Sequence, residues 1–186
     1  MTSSLLCCPR EARSTAQQRT VIVGLGNPIL SDDGVGVYAA RLLAERLAGA
    51  PVVVTESSLG GLRFLDLLAG FERAIIIDAI QWRHGPVGAV YRLSPDEAVP
   101  TVRAVSFHDI SLGTALALGT RLGIPLPTEI VFLAVEAGDI LTVSEECSPE
   151  ISAALPEVVR QVEAQLGAWG DLPGARCTKP GSPSTL

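Results

Sequence analysis

Charge is scarce in this chain. Asp, Glu, Lys and Arg together make up 18% of its 186 residues, against about 25% in an ordinary soluble domain. That scarcity suits a sheet covered on both faces better than one open to water. A basic surplus is missing too: 14 Lys and Arg face 20 Asp and Glu, for a net charge of −6, and no basic stripe marks a nucleic-acid footprint. No apolar run approaches the roughly 18 residues of a membrane span. The apolar part of Met1–Arg10 is too short for a secretory signal. Cys7, Cys8, Cys147 and Cys177 lack the repeated C-x₂-C spacing of a zinc site, so they read as free thiols in a reducing compartment. The expectation is a cytoplasmic monomer with neither nucleic acid nor membrane as partner.

What is abundant is apolar sequence, at 47%, arranged in strands that alternate with helical patterns. Thr20–Val23, Val52–Thr55, Ala74–Ile77, Val87–Leu93 and Ile130–Val135 read as strands. Val35, Ala39, Leu42 and Leu43 fall on one helical face, and Arg46 beside it must snorkel or pair. A short helix spans about Leu62 to Leu68, and Ile110–Leu122 is apolar nearly all round, as a buried helix would be. The last helix has Ser148 as cap, Pro149 at its first position and a kink expected at Pro156. This alternation predicts a three-layer α/β/α sandwich on a mainly parallel sheet. Residues 1–18 and 169–186 lack periodicity and read as a mobile leader and a disordered tail around one domain, 19–168.

The richest stretch is Val21-Ile-Val-Gly-Leu-Gly-Asn-Pro-Ile-Leu-Ser-Asp-Asp-Gly-Val-Gly36. A strand enters a Gly-rich turn, as in dinucleotide-binding proteins. The third glycine of G-x-G-x-x-G is replaced by Ile29, and two acids occupy the place where a pyrophosphate needs backbone N–H groups. Such a loop presents carboxylates, and so suits a cation. In a parallel sheet, ligands gather outside the carboxyl ends of the strands. Asp33 follows the first strand, Asp78 ends the third, and His108 precedes the Ile110–Leu122 helix, so all three can reach one edge. Two carboxylates and an imidazole favour nickel or zinc over magnesium. Each residue also has a plainer reading. Asp32 or Asp33 can cap the next helix, Asp78 can bond a loop or a ribose, and His108 can cap its helix. His84, in the loop with Trp82, is the second-choice ligand.

Gly24-Leu-Gly-Asn-Pro-Ile-Leu-Ser-Asp-Asp-Gly-Val-Gly36, Ala74-Ile-Ile-Ile-Asp-Ala-Ile80 and Ser106-Phe-His-Asp-Ile-Ser-Leu112 together resemble, in order, the motifs of the hydrogenase maturation endopeptidases. The resemblance covers roughly residues 19 to 166. It implies an endopeptidase that trims the C-terminal tail of a nickel–iron hydrogenase large-subunit precursor. By this likeness Asp33, Asp78 and His108 are the metal ligands and catalytic groups, with Asp33 where relatives often carry the longer Glu. Glu56, Gly60 and Gly61 correspond to a loop linked to substrate choice, and Asn27 is placed with them on the substrate side. Nickel is expected to arrive in the precursor, and other divalent metals can take the same donors. Two alternatives remain. Val21–Pro28 also resembles the opening of peptidyl-tRNA hydrolases, a likeness that stops at Pro28. A nickel-sensing, chaperone-like module that does not cut would carry the same residues.

Overall fold

A computed structural model describes residues 19–58, 63–81, 85–94 and 112–172. Five strands form one sheet: β1 (Thr20–Leu25), β2 (Val52–Ser57), β3 (Arg73–Ile80), β4 (Val90–Leu93) and β5 (Glu129–Glu136). Their spatial order is β2-β1-β3-β5-β4. β1, β2, β3 and β5 run parallel, and β4 closes one edge antiparallel to β5. Among the described residues four helices cover the sheet: α1 (Val35–Arg46), α2 (Arg63–Leu68), α3 (Leu112–Arg121) and α4 (Pro149–Trp169). Among the described residues no helix is long and apolar enough to cross a membrane.

The strands are apolar on both faces because both faces are covered. Ile22, Ile75, Ile77, Leu133 and Val135 point to α1 and α4, where Leu43, Val158, Val162 and Leu166 meet them. Val21, Val23, Ile76, Ile80 and Phe132 point to the opposite layer, where Phe64 and Leu68 of α2 lie. Two clusters on one sheet make the α/β/α sandwich that the alternation predicted.

α1 sits unusually close to the sheet, and glycine is the reason. A Cβ on Gly36 would stand 2.1 Å from the Leu25 carbonyl oxygen and 2.4 Å from that of Ile77. The helix therefore starts directly above the carboxyl ends of β1 and β3. Arg46 resolves its position beside the apolar face by pairing with Glu163 on α4, Nε to Oε1 at 2.8 Å.

Several expectations need correction. Asp78 does not end its strand: β3 continues to Ile80, and Asp78 stands opposite Ala134 of β5. α3 buries Ala115 and Gly119, but Thr114, Ala117 and Thr120 are exposed, so it is not buried all round. Leu42 is 40% exposed, outside the core face of α1. α4 runs from Pro149 to Trp169, with Pro156 inside it. The expected tail therefore starts too early. Asp171 accepts a hydrogen bond from Thr20 Oγ1 at 2.6 Å, and Arg73 Nη1 donates to the Trp169 carbonyl at 3.0 Å. Leu172 packs against the core. The leader and the rest of the tail lie outside the described residues.

Candidate functional site

The turn after β1 is held from several sides. Gly26 adopts φ 146°, and a Cβ there would lie 2.0 Å from the Asp33 carbonyl oxygen. Only glycine lets the two backbone segments approach so closely. Ser31, at φ 44°, then turns the chain into a short 3-10 turn, Ser31–Gly34. A positive φ is uncommon outside glycine, and here it sits immediately before the two acids.

Asp33 is 7% exposed, and its Oδ2 accepts the Asn27 backbone N–H at 2.7 Å. Asn27 Oδ1 in turn accepts from the Ile29 N–H at 3.3 Å. Neither the 3-10 turn nor α1 has a side-chain cap, so the capping reading of Asp32 and Asp33 falls away. Asp78, 2% exposed, accepts its neighbour Ala79 N–H through Oδ1 at 2.9 Å. By the two-residue period of β3 it shares the face of Ala74, Ile76 and Ile80, the face on which α3 also packs.

Asp33 and Asp78 are thus both brought to the carboxyl-end edge of the central strands, the first through the 3-10 turn and the second from β3 itself. The third expected member, His108, lies outside the described residues, as do Gly60, Gly61, Trp82 and His84. Among the described residues no group of three or more His, Cys, Asp or Glu is placed to hold a metal. Two hard oxygen donors are present, and any third donor comes from elsewhere in the chain or from a partner.

Glu56 lies near the same edge, since β2 pairs it with Gly24. It is exposed and engaged by Arg41, with Nε to Oε2 at 2.9 Å and Nη2 to Oε1 at 3.3 Å. Glu56, Ser57 and Ser58 line a small hollow with Pro28 and Val37, of about 140 Å³.

For Asp32 the sequence suggested only a helix cap, and its actual partners lie elsewhere. It is fully buried, and three backbone N–H groups converge on it: Gly138 and Asp139 on Oδ2, both at 3.0 Å, and Ser148 on Oδ1 at 2.7 Å. Cys147, next to that anchor, has its thiol pushed up to about 11, first by burial and then by the nearby Asp32. It is no nucleophile at neutral pH.

Two nearly buried carboxylates at the carboxyl ends of the strands, on a mainly parallel α/β/α sheet, define the class of site. Comparison with known proteins then identifies the family. The model for "Hydrogenase maturation protease" matches residues 37–165. The hydrogenase expression/formation protein HoxM of Cupriavidus necator is 26% identical over 160 residues, covering 84% of this chain and 78% of its own. The hydrogenase 2 maturation protease of Escherichia coli is 26% identical over 155 residues, covering 82% and 93%. Among solved structures, the hydrogenase maturating endopeptidase HybD from E. coli superposes with a TM-score of 0.68 at 25% identity, over 82% of this chain and 94% of that one. The chain belongs to the hydrogenase maturation protease family.

Proposed function

We propose that this protein cleaves the C-terminal segment from the large-subunit precursor of a nickel–iron hydrogenase, using Asp33, Asp78 and His108 on nickel that the precursor carries. The observation that supports this reading most is the pair of nearly buried carboxylates, Asp33 and Asp78, at one sheet edge. Among the solved relatives, one from Thermococcus kodakarensis, 28% identical with a TM-score of 0.55, is described as a [NiFe] hydrogenase maturation protease.

The chemistry of the donors fits. Carboxylate oxygens and one imidazole suit a borderline divalent ion, and no thiolate accompanies them to retain it tightly. Nickel in this reading is part of the substrate, and the protease meets it only after insertion. The ion supplies Lewis acidity at the scissile carbonyl or an activated water. Asp33 and Asp78 orient on the ion, and a carboxylate or His108 takes the proton of the attacking water. By the family likeness, Asn27, Glu56, Gly60 and Gly61 contribute to precursor recognition.

The test is processing of purified precursor, nickel-loaded and nickel-free, by protease first stripped with chelator, followed by mass spectrometry of the precursor's C-terminus. Mass loss in the loaded form alone is expected. Equal cleavage of both forms removes nickel from the recognition step. Binding of the loaded form without any mass loss removes the protease activity and favours a sensing module.

A further inference from the structure

We propose that Asp32 is a positioning residue: it locks the 3-10 turn against the 138–148 loop and so holds the neighbouring Asp33 carboxylate in its working place. The proposal rests on the function proposed above and assigns a role to a side chain that cannot touch substrate, since Asp32 is 0% exposed.

The two acids of the turn have different tasks. Asp32 makes a closed exchange with one loop residue. Its N–H donates to the Asp139 carbonyl at 2.9 Å, while its Oδ2 accepts the Asp139 N–H at 3.0 Å. Oδ2 also takes Gly138 N–H, and Oδ1 takes Ser148 N–H at the start of α4. Three backbone N–H donors converge on this one buried carboxylate, each a charge-assisted hydrogen bond. Beside it, Ser31 N–H donates to the Ser144 carbonyl at 3.0 Å, and Tyr38 Oη lies 2.5 Å from the Glu145 carbonyl oxygen.

The loop answering these contacts is itself stiffened. Asp139 Oδ1 accepts from Leu141 and Thr142 N–H at 2.9 and 3.0 Å, and Ser144 Oγ accepts from Glu146 N–H at 3.0 Å. It is a firm abutment for the turn. Asp33 closes the same turn through its backbone N–H on Leu30, and its Oδ2 accepts the Asn27 N–H. The turn that Asp32 pins to the loop is thus the turn that carries Asp33. A reacting group displaced by about 1 Å can lose about 10²-fold in rate.

Asn is the same shape as Asp but offers one acceptor oxygen. In Asp32→Asn an amide NH₂ must face either Ser148 N–H or the Gly138–Asp139 pair. The expected result is kcat lower by about 10²-fold with KM for nickel-loaded precursor within about twofold, measured well below the thermal midpoint. A purely structural role would lower the midpoint and leave kcat per folded molecule unchanged, which overturns the proposal.

Ser148 provides a second route that spares the buried carboxylate. Its φ of −56° and ψ of 155° already suit proline, so Ser148→Pro deletes one N–H donor with little strain. Ser148→Ala removes the same hydroxyl cap but keeps the N–H. Lower kcat in Ser148→Pro than in Ser148→Ala is expected, and equal kcat in both counts against Asp32. If wild-type protein leaves the precursor intact, the proposed function has failed. If wild type cuts, Asp33→Asn does not, and Asp32→Asn cuts at the wild-type kcat, only the positioning role has failed.

Discussion

The two ends of the sheet handle negative charge in opposite ways. At the amino end of the strands, acids meet guanidinium groups. Arg19 pairs with Glu72, and Arg73 lies 3.4 Å from Asp171 and 3.5 Å from Glu129 while stacking over Trp169. At the carboxyl end, Asp32, Asp33 and Asp78 are held by backbone N–H groups. An N–H dipole stabilises a carboxylate without cancelling its charge. The first end is a fastening. The second grips its acids through the backbone. The Arg41–Glu56 pair near that end stays at the exposed rim.

Exchanging single acids at the two ends gives the sharpest contrast. Asp33→Asn or Asp78→Asn should lower precursor processing by about 10³-fold or more, with the protein still folded by circular dichroism. Asp171→Asn should leave processing at the wild-type rate in the same assay. Comparable losses at both ends would erase the distinction.

Lifting α1 off the carboxyl end comes next. Gly36→Ala puts a methyl group into the Leu25 and Ile77 carbonyl oxygens. Overpacking of this kind costs about 3 kcal/mol, and backbone cannot move aside as a side chain can. Urea unfolding should show a much lower midpoint. Near-wild-type stability would mean that the helix can rise without harm.

At the fastened end the expected effect is smaller. Asp171→Ala removes the partner of Thr20 and Arg73, whose side chain is 19% exposed, and should cost about 1–3 kcal/mol. Truncation after residue 168 should destabilise similarly, whereas truncation after residue 172 should not. Equal thermal midpoints for the two truncations would show that residues 169–172 fasten nothing.

The smallest effect belongs to an ion pair at neither end. Hydrogen bonds from Arg160, and then Gln161, pull the Glu157 carboxyl from 4.5 to about 2. A depressed carboxyl contributes stability that is present above about pH 4.5 and is lost as pH falls toward 2. The pair is solvent-exposed and screened, so Glu157→Gln should lower neutral-pH stability only slightly and flatten the slope of stability against pH in that window. A clear loss at pH 7 would promote this pair to a structural element.

Local chemistry made much of the architecture legible. Apolar runs marked β1, β2, β3 and β5, while β4 begins at Val90 rather than Val87 because Gly88, at φ 86°, turns the chain first; Ser148 followed by Pro149 marked the start of α4, where Ser148 Oγ accepts from Ile151 N–H at 3.4 Å. The acidic turn announced itself through its glycines, and Asp33 follows β1 through that turn. The task of Asp32 was not legible, because its donors lie 106, 107 and 116 residues away and carry no side-chain signature. A backbone N–H looks the same in every residue except proline. The tail was misjudged for a related reason: Gly170, at φ 77°, ends α4 and reads as the start of disorder, while Asp171 just beyond it finds Thr20 across 151 positions. Asp78 looked like the end of a strand because charge usually stops one. Here β3 carries it inside, opposite Ala134 of β5.

The long reach of Asp32 also sets an order of events for a chain leaving the ribosome. The acidic turn is among the first parts of the domain to emerge, but its last donor, Ser148, follows 116 residues later. At about 5–20 residues per second, the turn waits on the order of ten seconds before its abutment exists. Closing so long a loop is entropically costly and comes late in folding. The half-made chain therefore carries its acids without the contacts that aim them, and the cutting edge comes into register only when nearly everything else has been built.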